Sequence, residues 1–597
     1  TRPLTGSSAA TVVIFLPLAF LTGVTGAFFK ALSLTMASAL VISYLLTWVA
    51  VPLLAEWLID ERHAEERPPG RFAQRVLAGY ERTLGQLLQR PVLVLLGVVP
   101  LLLVGVLAYR QVGSGFMPKM DEGGFVLDYL SQPGTSLDET DRLLQQVERI
   151  IRANPYVDTY SRRTGLQLGG GLTEANTGDF FVRLRSGSRP STSTVMEQIR
   201  EQVVAQVPGL DVDVAQLMED LIGDLTEVPQ PIEIKLYGDD EAQLDATAKK
   251  VAAAIAKVNG VAEVRNGINP AGDALDVHVD PVKAGLLGLD PVSVAQQVSD
   301  AVAGNVVAQL PQGPRMIGVR VWLPPTARAQ LEQLQALPIR AGDGRVVPLS
   351  RIAAIEAVQG QPEINRDNLK RMVAVTARIV GRDLGSTVAD VKQVLAKPGL
   401  LPPGMYHELG GLYAQQQIAF HDLSIVMLAA IALVFALLLF LYESFRVALS
   451  IMAAPLLAMA AVFVGLWVTG IELNISAMMG MTMIVGIVTE LAIFYFTEMT
   501  DAEQRMPLHE ALRYAGHHRM RPIMMSTLAA ILTLLPLALA IGEGSQMQQP
   551  LAVAIIAGML VQVPLVLLVM PVIYAVLRKS RREPPGQGGG QLLPPAH

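Results

Sequence analysis

One carboxylate lies inside an apolar run that is long enough to cross a lipid bilayer. The run is NISAMMGMTMIVGIVTELAIFYFTE, residues 474–498, and the acid is Glu490. A charge embedded in lipid is costly, so an intramembrane acid is by default a candidate for an ion or proton pathway. The alternative is that Glu490 lies near the cytosolic end of the run and extends its carboxylate to water.

Methionines in the same run raise the question of a soft-metal pathway. They are Met478, Met479, Met481 and Met483, and Met117 and Met120 stand in an outer loop. Thioethers select Cu(I). At helical spacing, however, the first four do not share one face, and methionine is a flexible filler of cores. We therefore predict no metal site and no cofactor.

The composition predicts a membrane bundle joined to a large aqueous domain. The chain has 597 residues, of which 51% are hydrophobic and 17% charged, and its mean hydropathy is +0.40. A net charge of −6 gives no case for nucleic acid, and the absence of cysteine excludes disulfides and a cysteine nucleophile. The sequence also lacks a G-x-x-x-x-G-K-[ST] loop, a G-x-S-x-G motif and an H-E-x-x-H motif. We therefore predict no catalytic residues and no enzyme.

Eight apolar runs are candidates for membrane spans. Basic residues concentrate in 57–90, 498–520 and 578–582, so the positive-inside rule assigns these segments to the cytoplasm and 113–415 to the opposite side. The runs lie near 8–27, 31–56, 91–109, 423–442, 447–469, 474–497, 521–541 and 550–577.

An internal repeat relates the two ends of the chain. Residues 8–54 match 527–573 in character, because Leu-Pro-Leu and a later X-Pro-X recur at one spacing, with Pro17 and Pro52 corresponding to Pro536 and Pro571. Parallel membrane repeats are typical of transporters. We expect this chain to be the C-terminal part of a protein about twice as long.

Between the third and fourth apolar runs, the sequence predicts α+β modules. Strands and helices from Phe125 to 214 follow a βαββαβ order of the ferredoxin-like type. A second such unit begins at 232, is interrupted by another βαβ stretch from 274, and resumes at 372–411. We predict one domain inserted into another.

These segments together resemble the resistance-nodulation-division (RND) family of proton-driven efflux permeases. The resemblance rests on GSGFMPKMDEGGF (113–125), QPGTSL (132–137), GIVTELAIFYF (486–496) and RMRPIMMSTLAAILTLLPLALAIGEG (519–544). It implies a polytopic α-helical membrane protein with a large α+β periplasmic region, made of ferredoxin-like βαββαβ porter subdomains and an inserted docking-like subdomain. It also implies a homotrimer in the bacterial inner membrane that works with a periplasmic adaptor protein and an outer-membrane channel, without nucleic acid.

With the family's organisation as a guide, the chain divides into eight segments. The predicted segments are two transmembrane helices in 1–60, a cytoplasmic or interfacial amphipathic helix in 61–90, a transmembrane helix in 91–112, a porter subdomain in 113–230, a second porter subdomain in 231–272 and 351–415, a docking-like insertion in 273–350, five transmembrane helices in 416–580, and a disordered cytoplasmic tail in 581–597.

The resemblance also assigns roles to individual residues. Glu490, Arg519, Ser526 and Thr527 match positions of the family's proton relay, whose acidic partners we expect upstream of Thr1. Arg519 can alternatively anchor the helix at the interface, and Ser526 can bond a carbonyl of its own helix.

For the substrate, the resemblance points to a flexible loop and one acid. Gly169, Gly170 and Gly171 fall where the family has a glycine-rich loop beside its substrate pocket, although a plain hairpin connection is the alternative. Asp128 stands where heavy-metal members are expected to carry a methionine.

We expect export of small amphiphilic compounds driven by protons. The alternative is a heavy-metal exporter for Cu(I) or divalent cations. An RND-related secretion factor or sensor is a third interpretation, against which the docking-like insertion argues.

Overall fold

The computed structural model describes residues 2–58, 70–165, 174–226, 230–268, 272–328, 330–359, 363–542 and 544–579. The helices of the membrane domain are α1 (Arg2–Leu18), α2 (Gly23–Leu58), α3 (Arg71–Gln89) and α4 (Leu95–Gln111) before the α+β region, and α14 (Gly411–Tyr442), α15 (Phe445–Thr469), α16 (Ile475–Glu503), α17 (Leu508–Ala538), α18 (Gln549–Pro564) and α19 (Met570–Lys579) after it. A π-helical segment, Leu565–Val569, joins α18 to α19.

The α+β region contains the remaining elements. Its helices are α5 (Leu137–Ala153), α6 (Thr192–Gln206), α7 (Leu217–Thr226), α8 (Glu241–Ile255), α9 (Pro281–Gly285), α10 (Pro291–Val302), α11 (Pro325–Arg328), α12 (Leu331–Gln335) and α13 (Leu384–Leu395). Its strands are β1 (Gly124–Ser131), β2 (Val157–Thr164), β3 (Thr177–Leu184), β4 (Leu210–Gln216), β5 (Ile232–Tyr237), β6 (Val261–Arg265), β7 (Asp273–Val279), β8 (Asn305–Gln312), β9 (Arg315–Val321), β10 (Pro338–Arg340), β11 (Val346–Pro348), β12 (Ala353–Gln359), β13 (Asn365–Asp367), β14 (Lys370–Ile379) and β15 (Tyr406–Gly410).

Within the described ranges, seven helices are long and apolar enough to cross a membrane, and α1 adds a shorter apolar helix, Leu4–Leu18. The first predicted span, 8–27, is therefore wrong in its bounds. Its helix ends at Leu18, where three-residue turns replace the helical hydrogen bonds, and α2 begins at Gly23 with a left-handed backbone (φ +66°). That conformation is easy for glycine and breaks a continuous helix.

Helix α16 is at the centre of the membrane domain. Of the residues in the apolar 18-residue stretch of α16, 72% are buried, whereas no residue is buried in the corresponding stretch of α2. Small residues allow α16 and α18 to approach closely, because a Cβ on Gly480 would lie 2.8 Å from that of Ala554. Such contacts are the usual means of packing helices where lipid removes the hydrophobic driving force.

The first α+β unit comprises β1–β4, α5 and α6. Its antiparallel sheet has the order β2-β3-β1-β4 that defines a ferredoxin-like fold. Both helices begin at a serine N-cap, Ser136 and Ser191, whose side chain accepts a backbone N–H of the first turn. The helices cover one face of the sheet, where Phe125, Leu127 and Phe180 are fully buried.

The second unit repeats this plan with an insertion. Strands β6, β14, β5 and β15 form one antiparallel sheet, to which the short strand β13 is added beside β14, and α8 and α13 are its crossover helices. The insertion between β6 and β13 consists of three two-stranded sheets, which pair β7 with β12, β8 with β9 and β10 with β11. Every residue of β8 and β9 is exposed.

Candidate functional site

Glu490 lies in the inner half of α16 and faces α1. The N-cap residue Asn474 begins this helix, and its side chain accepts the N–H of Ala477 at 3.0 Å. One turn before Glu490, a Cβ on Gly486 would lie 2.6 Å from the Ile14 side chain, so α1 packs directly on this face. The Glu490 carboxylate is partly buried and hydrogen-bonds with the side chain of Thr11.

The other three predicted relay residues have partners of their own. Arg519 donates to Glu498 through Nη2 at 2.7 Å and Nε at 3.1 Å. Ser526 donates to the carbonyl of Ile523 in its own helix at 3.1 Å. The hydroxyl of the buried residue Thr527 accepts from Gln562 Nε2 at 2.8 Å. Three of the four predicted residues therefore lie in three different contacts between helices, and Ser526 is bonded within its own helix.

Sequence reasoning missed Thr11, Glu498 and Gln562 as partners. A signal was present for Gln562, since a glutamine inside the last apolar run is itself an intramembrane polar group. Thr11 gave no comparable signal, because threonines in membrane helices commonly bond their own backbone, as Thr11 also does to the carbonyl of Ser7.

Asp128 is one of three aspartates that stand in a row across the first sheet. In the strand register it lies opposite Asp179 of β3 on one side and Asp213 of β4 on the other. Residues directly opposite in an antiparallel sheet point to the same face. The face that the helices leave uncovered therefore carries three carboxylates at adjacent positions, and Asp128 in the middle is exposed.

Arginines bind the two outer carboxylates of this aspartate row. Arg163 of β2 contacts Asp179 at 2.7 Å, and Arg378 of β14 contacts Asp213 at 3.1 Å. Like charges directly opposite each other destabilise a sheet. The two guanidinium groups offset that repulsion, and Arg378 does so from the second unit.

A cleft of about 520 Å³ separates the two units at the end of the aspartate row. Arg378 lines it together with further charged, thioether and apolar side chains. They include Met117, Met120, Met196, Met218, Glu122, Glu219, Glu263, Glu472, Phe116 and Ile222.

Ion pairs between the two units border the cleft. Arg200 of α6 contacts Glu263 at 3.0 Å, in addition to the pair between Arg378 and Asp213. Glu263 has a left-handed backbone (φ 50°), which is rare for a residue other than glycine and marks a site of local strain. Burial raises the pKa of the Glu263 carboxyl, and the nearby arginines oppose this. The cleft is therefore a partly desolvated, strongly charged space.

The predicted glycine loop, Gly169–Gly171, lies outside the described residues. Met117 and Met120 line the cleft, whereas Met478 and Met479 are buried in helix packing. In the portion of the chain that the structure describes, no group of three or more His, Asp or Glu side chains is arranged to hold a metal ion.

A family model matches residues 1–578, and its description is the AcrB/AcrD/AcrF family. The chain belongs to this family of RND permeases. The family assignment made from the sequence is thus confirmed, and no enzyme family is indicated.

Curated RND relatives match almost the whole chain. The cobalt-zinc-cadmium resistance protein CzcA of Cupriavidus metallidurans is 29% identical over 97% of the chain and 56% of CzcA. The nickel and cobalt resistance protein CnrA of the same species is 30% identical over 97% of the chain and 55% of CnrA. The multidrug resistance protein MdtC of Enterobacter sp. is 25% identical over 96% of the chain and 56% of MdtC. The chain spans about half the length of these relatives.

A solved structure shares the fold of this RND chain. A crystal structure described as a heavy metal efflux pump has a TM-score of 0.82 and 23% identity, and the match covers 97% of this chain and 59% of that one. The predicted fold class is confirmed. Export of small amphiphilic compounds, our first expectation, is not confirmed by these comparisons.

Proposed function

We propose that this chain belongs to a proton-driven RND efflux permease that exports a heavy-metal cation. The observation that carries the cation assignment is the aspartate row, in which exposed Asp128 stands between buried Asp179 and partly buried Asp213 on the sheet face opposite the helices. Among the described residues these three carboxylates are not arranged to chelate a metal ion, but a row of negative charge attracts cations and raises their concentration beside the cleft. The names of CzcA and CnrA support this class of substrate.

The cation and the arginines compete for the same carboxylates. In the described structure Asp179 and Asp213 are each bound to a guanidinium group, and Asp128 is the exposed member of the row. A cation that reaches Asp128 takes the place of Arg378 on Asp213 and thereby weakens a contact between the two units. Substrate entry and opening of the cleft are linked in this way.

Protons supply the driving force through the membrane domain. Glu490 is a carboxylate in the most buried membrane helix, and it can bind and release one proton per cycle. Because the chain spans about half the length of its relatives, we propose that further acidic partners of Glu490 belong to the rest of the permease. We propose that Arg519 and Thr527 contribute to the relay through their contacts with neighbouring helices and Ser526 from within α17. We also propose that an adaptor, a channel and a homotrimer complete the assembly in the inner membrane.

Export of an amphiphilic organic compound is the second candidate. It is favoured by the apolar side of the cleft, where Phe116, Met196 and Ile222 accompany the charges, and by the resemblance to MdtC.

The test uses the complete permease that contains this chain, reconstituted in vesicles. We expect proton-dependent transport of Zn²⁺ or Co²⁺, and roughly tenfold weaker Zn²⁺ binding in Asp128→Asn, because one negative charge that attracts the cation is lost. Asp158→Asn is the matched control, since Asp158 is an exposed aspartate on the edge strand β2 and is paired with Arg183 outside the aspartate row.

Two outcomes would contradict the cation assignment. One is transport of a hydrophobic dye without any metal transport, which selects the organic substrate. The other is equal Zn²⁺ affinity in wild type and Asp128→Asn, which removes the aspartate row from the substrate path.

A further inference from the structure

Residues 113–123, which we call the strap, lead from α4 to the first strand of the α+β region. The strap is paired by its backbone with the residues that begin α16. Leu473 donates its N–H to the carbonyl of Gly113 at 2.8 Å, and Gly115 donates back to the carbonyl of Leu473 at 3.0 Å. Ile475, the first residue of α16, donates to the carbonyl of Phe116 at 3.3 Å. The helix that carries Glu490 is thus bonded to the strap at its first residue.

The strap is also bonded to the second unit, through Asp383. This aspartate is the N-cap of α13, where its side chain accepts the N–H of Ser386 at 2.9 Å. The same carboxylate accepts the N–H of Ser114 at 3.0 Å. The carbonyl of Ser114 in turn accepts the N–H of Gly385 at 3.0 Å. One residue of the strap is therefore held by both its donor and its acceptor on the end of α13.

At three glycines of this junction the strap is in close contact with the segments on both sides. A Cβ on Gly113 would lie 2.8 Å from Cβ of Asp383, and a Cβ on Gly115 would lie 2.6 Å from Oε2 of Glu472. A Cβ on Gly385 would overlap the Ser114 hydroxyl. Close-packed backbones of this kind transmit displacement because they have little room to deform.

Further along, the strap is fixed to the first unit and to the connection between α17 and α18. The Asp121 carboxylate accepts from Arg189 Nη2 at 2.6 Å and from the Thr192 hydroxyl at 2.5 Å. The Asp121 N–H donates to Gln546 Oε1 at 2.7 Å. The strap is thus the one stretch we find, among the described residues, with direct hydrogen bonds to α16, to both units and to the connection before α18.

We propose that the strap is the rigid link that carries displacement of α16 to the cleft, and that Asp383 is the positioning residue that fixes this link to the second unit. The inference rests on the proposed proton-driven function. It goes beyond that function by naming the covalent segment and the hydrogen bonds through which the membrane domain acts on the substrate cleft. A shift of α16 along its axis moves Leu473, the paired strap and the end of α13 together.

The first experiment separates this role from ordinary helix capping. Asp240 is the matched control: it is the N-cap of α8, the other crossover helix of the same unit, and accepts the N–H groups of Ala242 and Gln243 at 3.0 and 3.2 Å. In the complete permease in vesicles, we expect Asp383→Ala to lower export at least tenfold while proton uptake continues. We expect Asp240→Ala to keep the wild-type ratio of protons to substrate. Equal ratios in the two variants would overturn the proposal.

The second experiment tests rigidity and does not require Asp383 to be removed. The 597 residues contain no cysteine, and a Cβ on Gly385 would lie 3.4 Å from that of Ser114, close to the roughly 3.5–4.5 Å found in disulfides. We expect the double variant Ser114→Cys and Gly385→Cys to form a disulfide and to transport equally well when oxidised or reduced. Inhibition on oxidation that a reductant reverses would show a contact that must break, and would overturn the rigid link.

Failure of the inference and failure of the proposed function give different results. If the wild-type permease shows no proton-coupled export, the proposed function is wrong. If the wild type exports and Asp383→Ala behaves as Asp240→Ala does, only the role of the strap is wrong.

Discussion

The membrane domain and the α+β region handle charge in opposite ways. Within the membrane domain, the carboxylate of Glu490 lies on a helix that is otherwise apolar through its central turns, and its partner is the uncharged side chain of Thr11. In the α+β region, acids of the aspartate row and the cleft form ion pairs with arginines, as the pairs Asp179–Arg163, Glu263–Arg200 and Asp213–Arg378 show. A lone acid is conspicuous in an apolar run, whereas a functional acid among many paired ones is not.

This contrast explains which candidates could be recognised. Charge is costly in lipid and cheap at an aqueous surface, so sequence position alone gives information about the first kind of acid and little about the second. Replacing an acid by its amide should therefore remove proton transfer in the membrane domain, and an ion pair or a cation-attracting charge in the α+β region.

The largest effect is expected for Glu490→Gln in the complete permease. Proton-coupled export should fall by about 100-fold or more, in line with the loss of a proton-transferring group. Expression and trimer assembly should not change. Export from vesicles with an imposed pH gradient measures the effect, and Glu443→Gln is the control, because Glu443 lies at the C-terminal end of α14, away from the Thr11 contact. Export at the wild-type rate by Glu490→Gln would remove this residue from the relay.

A packing change in the membrane domain should come next in size. A Cβ on Gly516 of α17 would overlap the Tyr80 hydroxyl, which donates to the carbonyl of Leu567 at 3.3 Å. We expect Gly516→Ala to lower the free energy of unfolding by about 1–3 kcal/mol through overpacking.

The control for this change lies on the facing helix. Gly79 of α3 has nothing within 4 Å of an added Cβ, so Gly79→Ala should stabilise the protein by about 0.5–1 kcal/mol. Thermal unfolding of the purified permease in nanodiscs measures both. Equal midpoints in the two variants would contradict the close contact of α3 with α17.

In the α+β region, removing an arginine should strengthen cation binding. Arg378→Gln removes the guanidinium group from Asp213, which keeps its hydrogen bonds from Gln230 and the Val214 N–H. We expect Zn²⁺ affinity to rise about tenfold, since a nearby positive charge no longer opposes the cation. Arg382→Gln is the control, because Arg382 lines the same cleft but contacts Asp390 at 2.8 Å. Isothermal titration calorimetry of both variants measures their Zn²⁺ affinity. Weaker binding in Arg378→Gln would show that the guanidinium helps to hold the substrate, as expected for an anionic or amphiphilic compound.

The smallest effect should depend on pH. Partial burial acts to raise the pKa of Asp121, but hydrogen bonds from Arg189 and Thr192 outweigh it and lower the pKa to about 2. A depressed pKa stabilises the folded state above the ordinary carboxyl pKa of about 4, and this contribution is lost as the pH falls toward 2.

We therefore expect Asp121→Asn to lower the unfolding midpoint at pH 7, with a cost of roughly 0.5–1 kcal/mol because solvent screens the partly exposed pair. The difference from wild type should narrow between about pH 4 and pH 2. Unfolding curves at several pH values measure it. A difference that persists undiminished to pH 2 would assign the effect to lost packing.

Much of the fold could be predicted because local patterns dictate it. The alternation of strands β1–β4 with two amphipathic helices predicted the ferredoxin-like order, and the apolar runs predicted seven of the membrane helices. The predicted bounds of the first span were wrong for a local reason as well, because hydropathy does not reveal the helix break between Leu18 and Gly23.

The candidate sites likewise divide into those that local sequence patterns reveal and those that depend on the tertiary fold. The sequence by itself determined the family, the apolar helices and the exceptional position of Glu490. An acid inside an apolar run can be recognised without any knowledge of the fold. Only the tertiary structure decided that Asp128 stands between Asp179 and Asp213, that Arg378 reaches Asp213 from another unit, and that the strap joins Leu473 to Asp383. The bond from Arg378 to Asp213 joins residues 165 positions apart, and that from Ser114 to Asp383 joins residues 269 apart. Chain folding, which local composition does not record, brings such residues together.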